Sequence, residues 1–532
     1  MPPRSRTLGD LLDETARARP DADAVIFRDQ RLTYGVLAAR ADELARALFA
    51  AGVRRGDRVA LLLPNRPEWL VAAFAAAKLG AITVGVSTFS ASPEIAWTVA
   101  HCRPAAIVTT ESFRGRRYLE ALYAACPELA TSAPGALRSE RFSELRAVIC
   151  VDERRHDGVY RLDDFVARAS TVRGPLPAAA VASDPCFILY TSGSTATPKG
   201  VVLGHGGVIE NGFHIGERMH LTAADRVWLA VPLFWSFGSA NALPAILTHG
   251  GSIVLQESFE PGEALALLDE QRCTVYYGMA NMARAMLEHP ERGRRALASM
   301  RTGLTIGLPE DVQMTMEAVA ARELCNVYGS TETYGNCAVT DAHDPLPLRL
   351  ETQGRPLPGM RIRVVDPDTG RTLPSGEEGE FRVSGHVTPG YYNDAEQTRA
   401  AFDADGGFIT GDRGLLGDDG RVRFRGRLKE MIKTAGMNVA PLEVEAVLLG
   451  HAAVKQAYVV GVPDRARGEL VVAAVELREG APASAEALAL HCRERLAGYK
   501  VPARFVFRKA DEFPRTPTGK VHKPRLKQEL GP

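Results

Sequence analysis

Apolar positions in the first 420 residues alternate between two periods. Leu37, Ala41, Leu44 and Leu48 recur at 4-3-4 spacing, the mark of one helix face, and this helix is expected to end near Gly52. From Arg58 to Leu63 the chain is short, apolar and closed by Pro64, which suits a buried strand. A helical stretch then runs through Leu79 and stops at Gly80. Further strand-like runs fall at 105–109, 187–190, 227–231, 252–255 and 274–277. Strands separated by helix-length segments predict an α/β fold, with parallel or mixed sheets flanked by helices. Sheets of this kind bind ligands in loops beyond the carboxyl ends of their strands.

The pattern changes near residue 420. Of ten lysines, eight lie at Lys429 or later, and the long first part holds only Lys78 and Lys199. The last hundred residues carry a helical pattern at 441–449 and strand-like runs at 457–462, 470–475 and 505–507. The expected organisation is a large N-terminal domain, residues 1–427, and a small mobile α+β domain, residues 428–532, with a boundary near Arg427–Lys429. No repeat and no low-complexity tract is apparent.

Composition narrows the function classes. The 532 residues include 64 Lys+Arg and 64 Asp+Glu, a balance that provides no global field for nucleic acid or an acidic membrane. Eight cysteines are scattered from Cys102 to Cys492 without a Cys-x-x-Cys pair or a matched His cluster, so reduced buried thiols are expected. The most apolar stretch, Leu70 to Val86, is broken by Lys78 and two glycines and falls short of the roughly 18 residues of a spanning helix. No apolar segment follows Met1-Pro2-Pro3-Arg4, so a signal peptide is not expected, and a cytoplasmic protein is the default.

The segment Tyr190-Thr-Ser-Gly-Ser-Thr-Ala-Thr-Pro-Lys-Gly200 follows a strand and gathers five serine and threonine hydroxyls, two glycines and Lys199. Such a loop presents N–H groups, hydroxyls and a cation to phosphate oxygens. It is not a Walker A loop, which would need glycine at Pro198 and Ser or Thr at Gly200. A flexible polar surface loop is the alternative reading of these residues alone.

This segment resembles the phosphate loop of the adenylate-forming superfamily, which comprises acyl- and aryl-CoA synthetases, peptide-synthetase adenylation domains and beetle luciferases. Four further motifs follow in that superfamily's order: Asn326-Val-Tyr-Gly-Ser-Thr-Glu332, Thr410-Gly411-Asp412, Arg425-Gly-Arg-Leu-Lys-Glu-Met-Ile-Lys433 and Pro517-Thr518-Gly519-Lys520. Taken singly, Glu332 reads as a salt-bridge partner, Asp412 as a turn residue and Lys520 as a tail lysine; their joint order favours the resemblance. It implies ATP, Mg2+ and coenzyme A as cofactors and a small carboxylic acid as substrate. Thr191, Ser192, Gly193, Ser194, Thr195 and Lys199 would hold phosphates. Asn326, Tyr328, Gly329, Ser330 and Thr331 would lie along the nucleotide, with Gly307, Leu308 and Pro309 beside adenine. Asp412 would bind the ribose and Glu332 the metal. The catalytic set implied is Lys520, Glu332 and Thr195. The small domain would turn about Lys429, with Arg427 and Lys433 on the nucleotide side and Gly436 letting a pantetheine arm pass. From spacing alone, Gly436 reads equally well as a turn glycine.

Three departures from the superfamily pattern bear on the substrate. In Pro232-Leu-Phe-Trp-Ser-Phe-Gly238, Trp235 stands where many relatives carry histidine, which either reshapes a pocket mouth or simply packs the core. No aspartate lies at 232–243 to hold an α-ammonium, which disfavours an amino acid substrate. Thr305-Ile-Gly-Leu-Pro309 is shorter than the usual Gly-Gly-Ala-Pro stretch. The candidate acid pocket, Trp235, Ser236, Phe237, Gly238, Gly278, Met279 and Met282, is apolar and suits a fatty, aryl or alicyclic acid. The expected reaction is therefore acyl adenylate formation followed by transfer to CoA, with a separate carrier protein as the alternative acceptor. A non-catalytic nucleotide-binding relative is the remaining reading, and self-association into a homodimer is left open.

Overall fold

The computed structural model describes residues 4–177, 180–191, 198–307, 309–428, 432–439, 441–514 and 521–531, without the side chains of 310, 426, 427 and 442. The chain forms two compact units. One comprises residues 1–88, 99–190 and 200–426; the other gathers 427–532 with the short segments 89–98 and 191–199.

Among the described residues the first unit holds three main sheets. Among the described residues, nine strands form the largest, in the order 355–356, 338–339, 323–328, 302–305, 275–277, 226–229, 252–255, 23–27, 30–33. Its inner six strands are parallel, and antiparallel strands close both edges. A second, seven-stranded sheet runs 199–204, 185–191, 82–85, 58–62, 106–109, 147–150, 160–161. The strands Ala106–Thr109 and Ala147–Cys150 are buried throughout, and Arg58–Leu62 is buried at every position but Arg58, as befits strands covered on both faces. Helices Tyr34–Ala50 and Pro67–Lys78 match the apolar periods read from the sequence. Lys78, 7% exposed at its side chain, joins helices through Asp13 and Asp42, each at 2.5 Å.

The strand expected at 227–231 ends at Leu229. The cause is Asn65, 2% exposed, whose Nδ2 donates to the Val231 carbonyl at 3.0 Å and whose Oδ1 accepts from Leu233 N–H at 2.8 Å. A side-chain amide thus replaces the sheet partner and turns the chain out of the sheet. A third sheet, antiparallel, is formed by Met360–Val365, Gly379–Gly385, Phe408–Leu416 and Val422–Arg427.

In the second unit, Gly468–Leu477 pairs with Val454–Asp464 and Arg504–Phe507. Val471, Ala473 and Val475 pack on one face with Val444, Leu448 and Leu488 of the helices Pro441–Leu449 and Ala485–Arg493. Val472 and Ala474 pack on the other with Phe513, Leu526 and Leu530. The strand's two-residue period is thereby buried on both sides.

All eight cysteines are buried free thiols. Burial pushes Cys102, Cys273, Cys325 and Cys337 up to about 12, and Cys150 and Cys492 up to about 11. It raises Cys126 and Cys186 as well.

His205 opens the helix that follows strand Lys199–Gly204, and its Nδ1 accepts from Leu8 N–H at 3.1 Å. Burial pushes its pKa down to about 4, against the opposing pull of Asp184 and Asp10. An unfolded histidine takes up its proton near pH 6.5, so below that pH the unfolded state binds more protons than the folded one. The contribution is full above about 6.5 and is lost as pH falls toward about 4. In urea denaturation, the stability difference between the wild type and His205→Gln is expected to shrink over that window. A pH-independent difference would show that His205 is not held neutral.

Candidate active site

The motif strand Glu323–Tyr328 lies parallel to Thr302–Thr305, with Thr305 opposite Asn326. Asn326 is fully buried; its Nδ2 donates to the Gly307 carbonyl at 3.3 Å, and its backbone N–H donates to Thr340 Oγ1 at 2.9 Å. Asn326 therefore fastens the turn at Gly307 to the strand carrying Tyr328. A Cβ on Gly307 would lie 2.6 Å from Asp311 Cβ. Pro309 begins the helix Pro309–Val319, while Leu308 is outside the described residues.

Tyr328 donates from its hydroxyl to Asp412 Oδ2 at 2.9 Å, joining two motifs that stand 84 positions apart. Its ring stacks on Phe424 with centroids 5.6 Å apart and meets Phe381 edge-on at 5.1 Å. Burial first, and the adjacent Asp412 carboxylate second, push the Tyr328 pKa well above the ordinary phenol value, so it remains a donor. Asp412, 3% exposed, is set in strand Phe408–Leu416, where its N–H donates to Thr410 Oγ1 at 3.0 Å.

Beyond Tyr328 the chain makes one short 3-10 turn, Thr331–Thr333, which carries Glu332. The turn is locked from several sides. Ser330 N–H donates to Thr333 Oγ1 at 2.9 Å, and Tyr334 takes a left-handed conformation, φ 58°. The Tyr334 carbonyl accepts from Asn211 Nδ2 at 3.1 Å and Asn241 Nδ2 at 2.5 Å, and its hydroxyl accepts from Gly204 N–H at 3.0 Å. Left-handed backbone in a non-glycine residue costs about 1–2 kcal/mol, which these three bonds offset. A Cβ on Gly329 would meet Gly335 O at 2.4 Å and Asn336 Cα at 2.6 Å, so only glycine fits there. Glu332 Oε1 accepts from the Tyr391 hydroxyl at 3.1 Å, and its carbonyl accepts from Thr388 N–H at 2.6 Å. Glu332 supplies one hard carboxylate donor, the kind of ligand Mg2+ takes when phosphates and water complete its shell.

The candidate acid-pocket segments meet this turn. Ser236 Oγ lies 3.0 Å from Thr331 Oγ1. Gly238 cannot bear a side chain, since a Cβ would sit 2.5 Å from the Pro232 carbonyl. Residues Phe237–Ala242 form a π-helical turn, and the Phe237 ring lies 4.6 Å from that of Tyr277. Trp235 is half-buried, and its carbonyl accepts from Ser239 Oγ at 3.0 Å. Gly278 lies against the Tyr276 ring, Met279 is half-buried and Met282 is buried.

Strand Pro185–Thr191 ends at Thr191, and the next strand begins at Lys199. Ser192, Gly193, Ser194 and Thr195 lie outside the described residues, as do Lys429, Lys520 and the Arg427 side chain. At the strand's end the Tyr190 hydroxyl lies 2.6 Å from His101 Nδ1. Burial raises the pKa of Tyr190 and lowers that of His101. In the second unit, Lys433 N–H donates to Glu469 Oε2 at 2.7 Å. Gly436, φ 78°, and Ala435, φ 50°, form the two-residue turn between Ile432–Thr434 and Met437–Val439. Positive φ at both positions is what such a hairpin requires, so Gly436 has a conformational reason to be glycine.

Sequence reasoning missed Tyr391, which holds Glu332 from 59 residues away and carries no local signal. Two other features are separate from the motif residues. A cleft of about 960 Å3, lined in part by Arg31, Arg66, Val108, Val151 and Leu162, contains none of the described motif residues. Among the described residues, His220, Asp341 and His343 form one group of possible metal ligands. The two imidazoles stack at 3.9 Å and 13°, so their in-plane lone pairs run side by side instead of converging on an ion. No described helix is long and apolar enough to cross a membrane.

Residues 12–392 match the family model of the AMP-binding enzymes, and residues 443–520 match that of the AMP-binding enzyme C-terminal domain. The chain is 36% identical over 533 residues to the putative acyl-CoA synthetase YngI of Bacillus subtilis, covering 98% of this chain and 97% of that protein. It is 32% identical over 543 residues to the mitochondrial medium-chain acyl-CoA ligase ACSF2 of Danio rerio, covering 99% and 89%. Among solved structures, the amide bond synthetase McbA from Marinactinospora thermotolerans aligns with a TM-score of 0.83 at 27% identity, covering 99% of this chain and 100% of that one. The o-succinylbenzoate CoA synthetase MenE of Bacillus subtilis aligns with a TM-score of 0.80 at 26% identity, covering 97% and 98%. Two matched domains in this order, on a mixed α/β framework shared with these structures, make the chain a member of the AMP-binding, adenylate-forming enzyme family.

Proposed function

We propose that this protein is an AMP-forming acid–CoA ligase: it converts a hydrophobic carboxylic acid to an acyl adenylate with ATP, releasing pyrophosphate, and then to a CoA thioester, releasing AMP. The observation that carries this reading is the convergence of Tyr328, Asp412 and Glu332, two of them hydrogen-bonded and the third fixed by Tyr391.

A carboxylate oxygen attacks the α-phosphorus, the bond from that phosphorus to the α,β-bridging oxygen breaks, and pyrophosphate leaves with its β,γ-bridge intact. The reactants bring several negative charges together, so catalysis rests on position and countercharge. Mg2+ held at Glu332 would neutralise phosphate charge. Thr191, Ser192, Gly193, Ser194, Thr195 and Lys199 cradle the leaving pyrophosphate, Tyr328 lies along adenine and Asp412 takes the ribose hydroxyls. Lys520, a compact cation, bridges the carboxylate and the α-phosphate. In this reading residues 1–427 bind ATP and acid. Residues 428–532 deliver Lys520, then turn about Lys429 so that Gly436 borders the thiol's path. The CoA sulfur attacks the acyl carbonyl and AMP departs.

ATP–pyrophosphate exchange across fatty, aryl, alicyclic and amino acids, followed by product analysis with and without CoA, tests the reading. Exchange with an apolar acid plus a thioester on adding CoA is the expected result. Exchange without thioester would move the acceptor to a carrier-protein phosphopantetheine, and silence with every acid would overturn the assignment.

A further inference from the structure

Three segments of the first unit close on one another behind the Glu332 turn: 235–241, 276–279 and 330–336. Ser236 touches Thr331, the Phe237 ring lies against Tyr277, and Gly335, φ 93°, leaves no room for a side chain against Asn241. Phe237 and Met282 are buried in one apolar cluster, and Met279 is partly buried against it. Polar atoms stand among them. Asn336 is 1% exposed and Tyr277 0%. Neither amide atom of Asn336, nor the Tyr277 hydroxyl, has a hydrogen bond of proper geometry among the described residues. Burial raises the Tyr277 hydroxyl well above the ordinary phenol value and a polar contact with the Asn336 side chain opposes that rise, so the hydroxyl and the amide are near neighbours. Asn241 Oδ1, on the π-helical turn, is likewise buried without a partner.

A polar group buried without a partner loses its hydration and gains nothing in return, so an isolated asparagine in this setting is costly unless something bound there satisfies it. Its position is not adaptable: Gly329 packs directly on the Asn336 backbone, and the Tyr334–Asn241 bond fixes the residues before it. An asparagine amide both donates and accepts, and a tyrosine hydroxyl beside it donates, so the pair matches a hydroxyl or ketone oxygen.

We propose, resting on the ligase reading above, that the acid carries an oxygen substituent, a hydroxyl or keto group, and that Asn336 with Tyr277 selects it within an otherwise apolar pocket. A wholly apolar pocket discriminates weakly against an added hydroxyl, whereas a site built to bond one rejects the unsubstituted twin strongly.

The test uses pairs of acids with the same carbon skeleton, alkyl, aryl and alicyclic, with and without the hydroxyl or keto group, in the exchange assay. For the skeleton that fits, kcat/KM is expected to favour the oxygenated member by at least about tenfold in the wild type. Asn336→Leu should reverse that preference, with KM for ATP unchanged. Tyr277→Phe, which removes one atom and keeps the packing, should weaken it and guards against a misfolded leucine variant. A preference for the unsubstituted acid in every pair, or a ratio that neither variant moves, would overturn the proposal and leave Asn336 as the holder of a structural water. If no acid supports exchange, the ligase reading falls separately. Tryptophan fluorescence titration with the same pairs then decides the pocket, and equal affinities within every pair overturn the proposal.

Discussion

Lys520→Ala is expected to lower ATP–pyrophosphate exchange by about 10^3-fold, the scale on which a cation at a transferring phosphoryl group acts. The same variant, given a synthetic acyl adenylate and CoA, should form thioester within a few-fold of the wild-type rate. The asymmetry follows from the chemistry. Charge accumulates between the carboxylate and the α-phosphate only in the first half-reaction, whereas thioester formation attacks an uncharged carbonyl and expels AMP. Single-turnover measurement of each half-reaction reads the split. If both collapse together in a variant whose folding is intact, the assignment of Lys520 to one of two alternating arrangements is wrong.

Glu332→Gln is expected to have the next largest effect. Glutamine retains the shape of the side chain and its oxygen still accepts from Tyr391, so the turn built by Ser330, Thr333 and Tyr334 should persist. The lost negative charge should raise the Mg2+ concentration needed for half-maximal exchange by at least tenfold and lower kcat/KM by about 10^2-fold. Tyr391→Phe removes the group that orients the carboxylate and should cost about tenfold, in line with outer-shell partners at metal sites. A Mg2+ titration curve that Glu332→Gln leaves unmoved would remove Glu332 from the metal site.

Much of this molecule can be read from its sequence, for identifiable reasons. The strand Arg58–Leu62 leads into a continuous apolar run, residues 59–63, closed by Pro64, and burial on both faces makes such runs conspicuous. The helix Pro441–Leu449 coincides with its expected limits. The sheet formed by 360–427 carries little signal in the sequence. Met360-Arg-Ile-Arg-Val-Val365 does carry a two-residue period, buried at Met360, Ile362 and Val364, but Gly379–Gly385 and Phe408–Leu416 interleave glycine and charge and dilute theirs. In the candidate site, the backbone-bound motifs announce themselves because glycines and hydroxyls must stand at fixed local spacing. Tyr391, Asn241 and Asn336 do not, because each acts across the fold on a partner far away in the chain or on a ligand. Their meaning arises only when the strands bring 235–241, 330–336 and 388–391 together.

The eight buried thiols bear on the hazard of the chemistry itself. An acyl adenylate acylates any thiolate it meets, and an enzyme that makes one must survive it over many turnovers. Every cysteine in this chain is buried with its pKa raised, so none presents a ready thiolate. Self-labelling is thereby suppressed, and the sulfur that arrives with CoA faces no competitor from the protein that activates its partner.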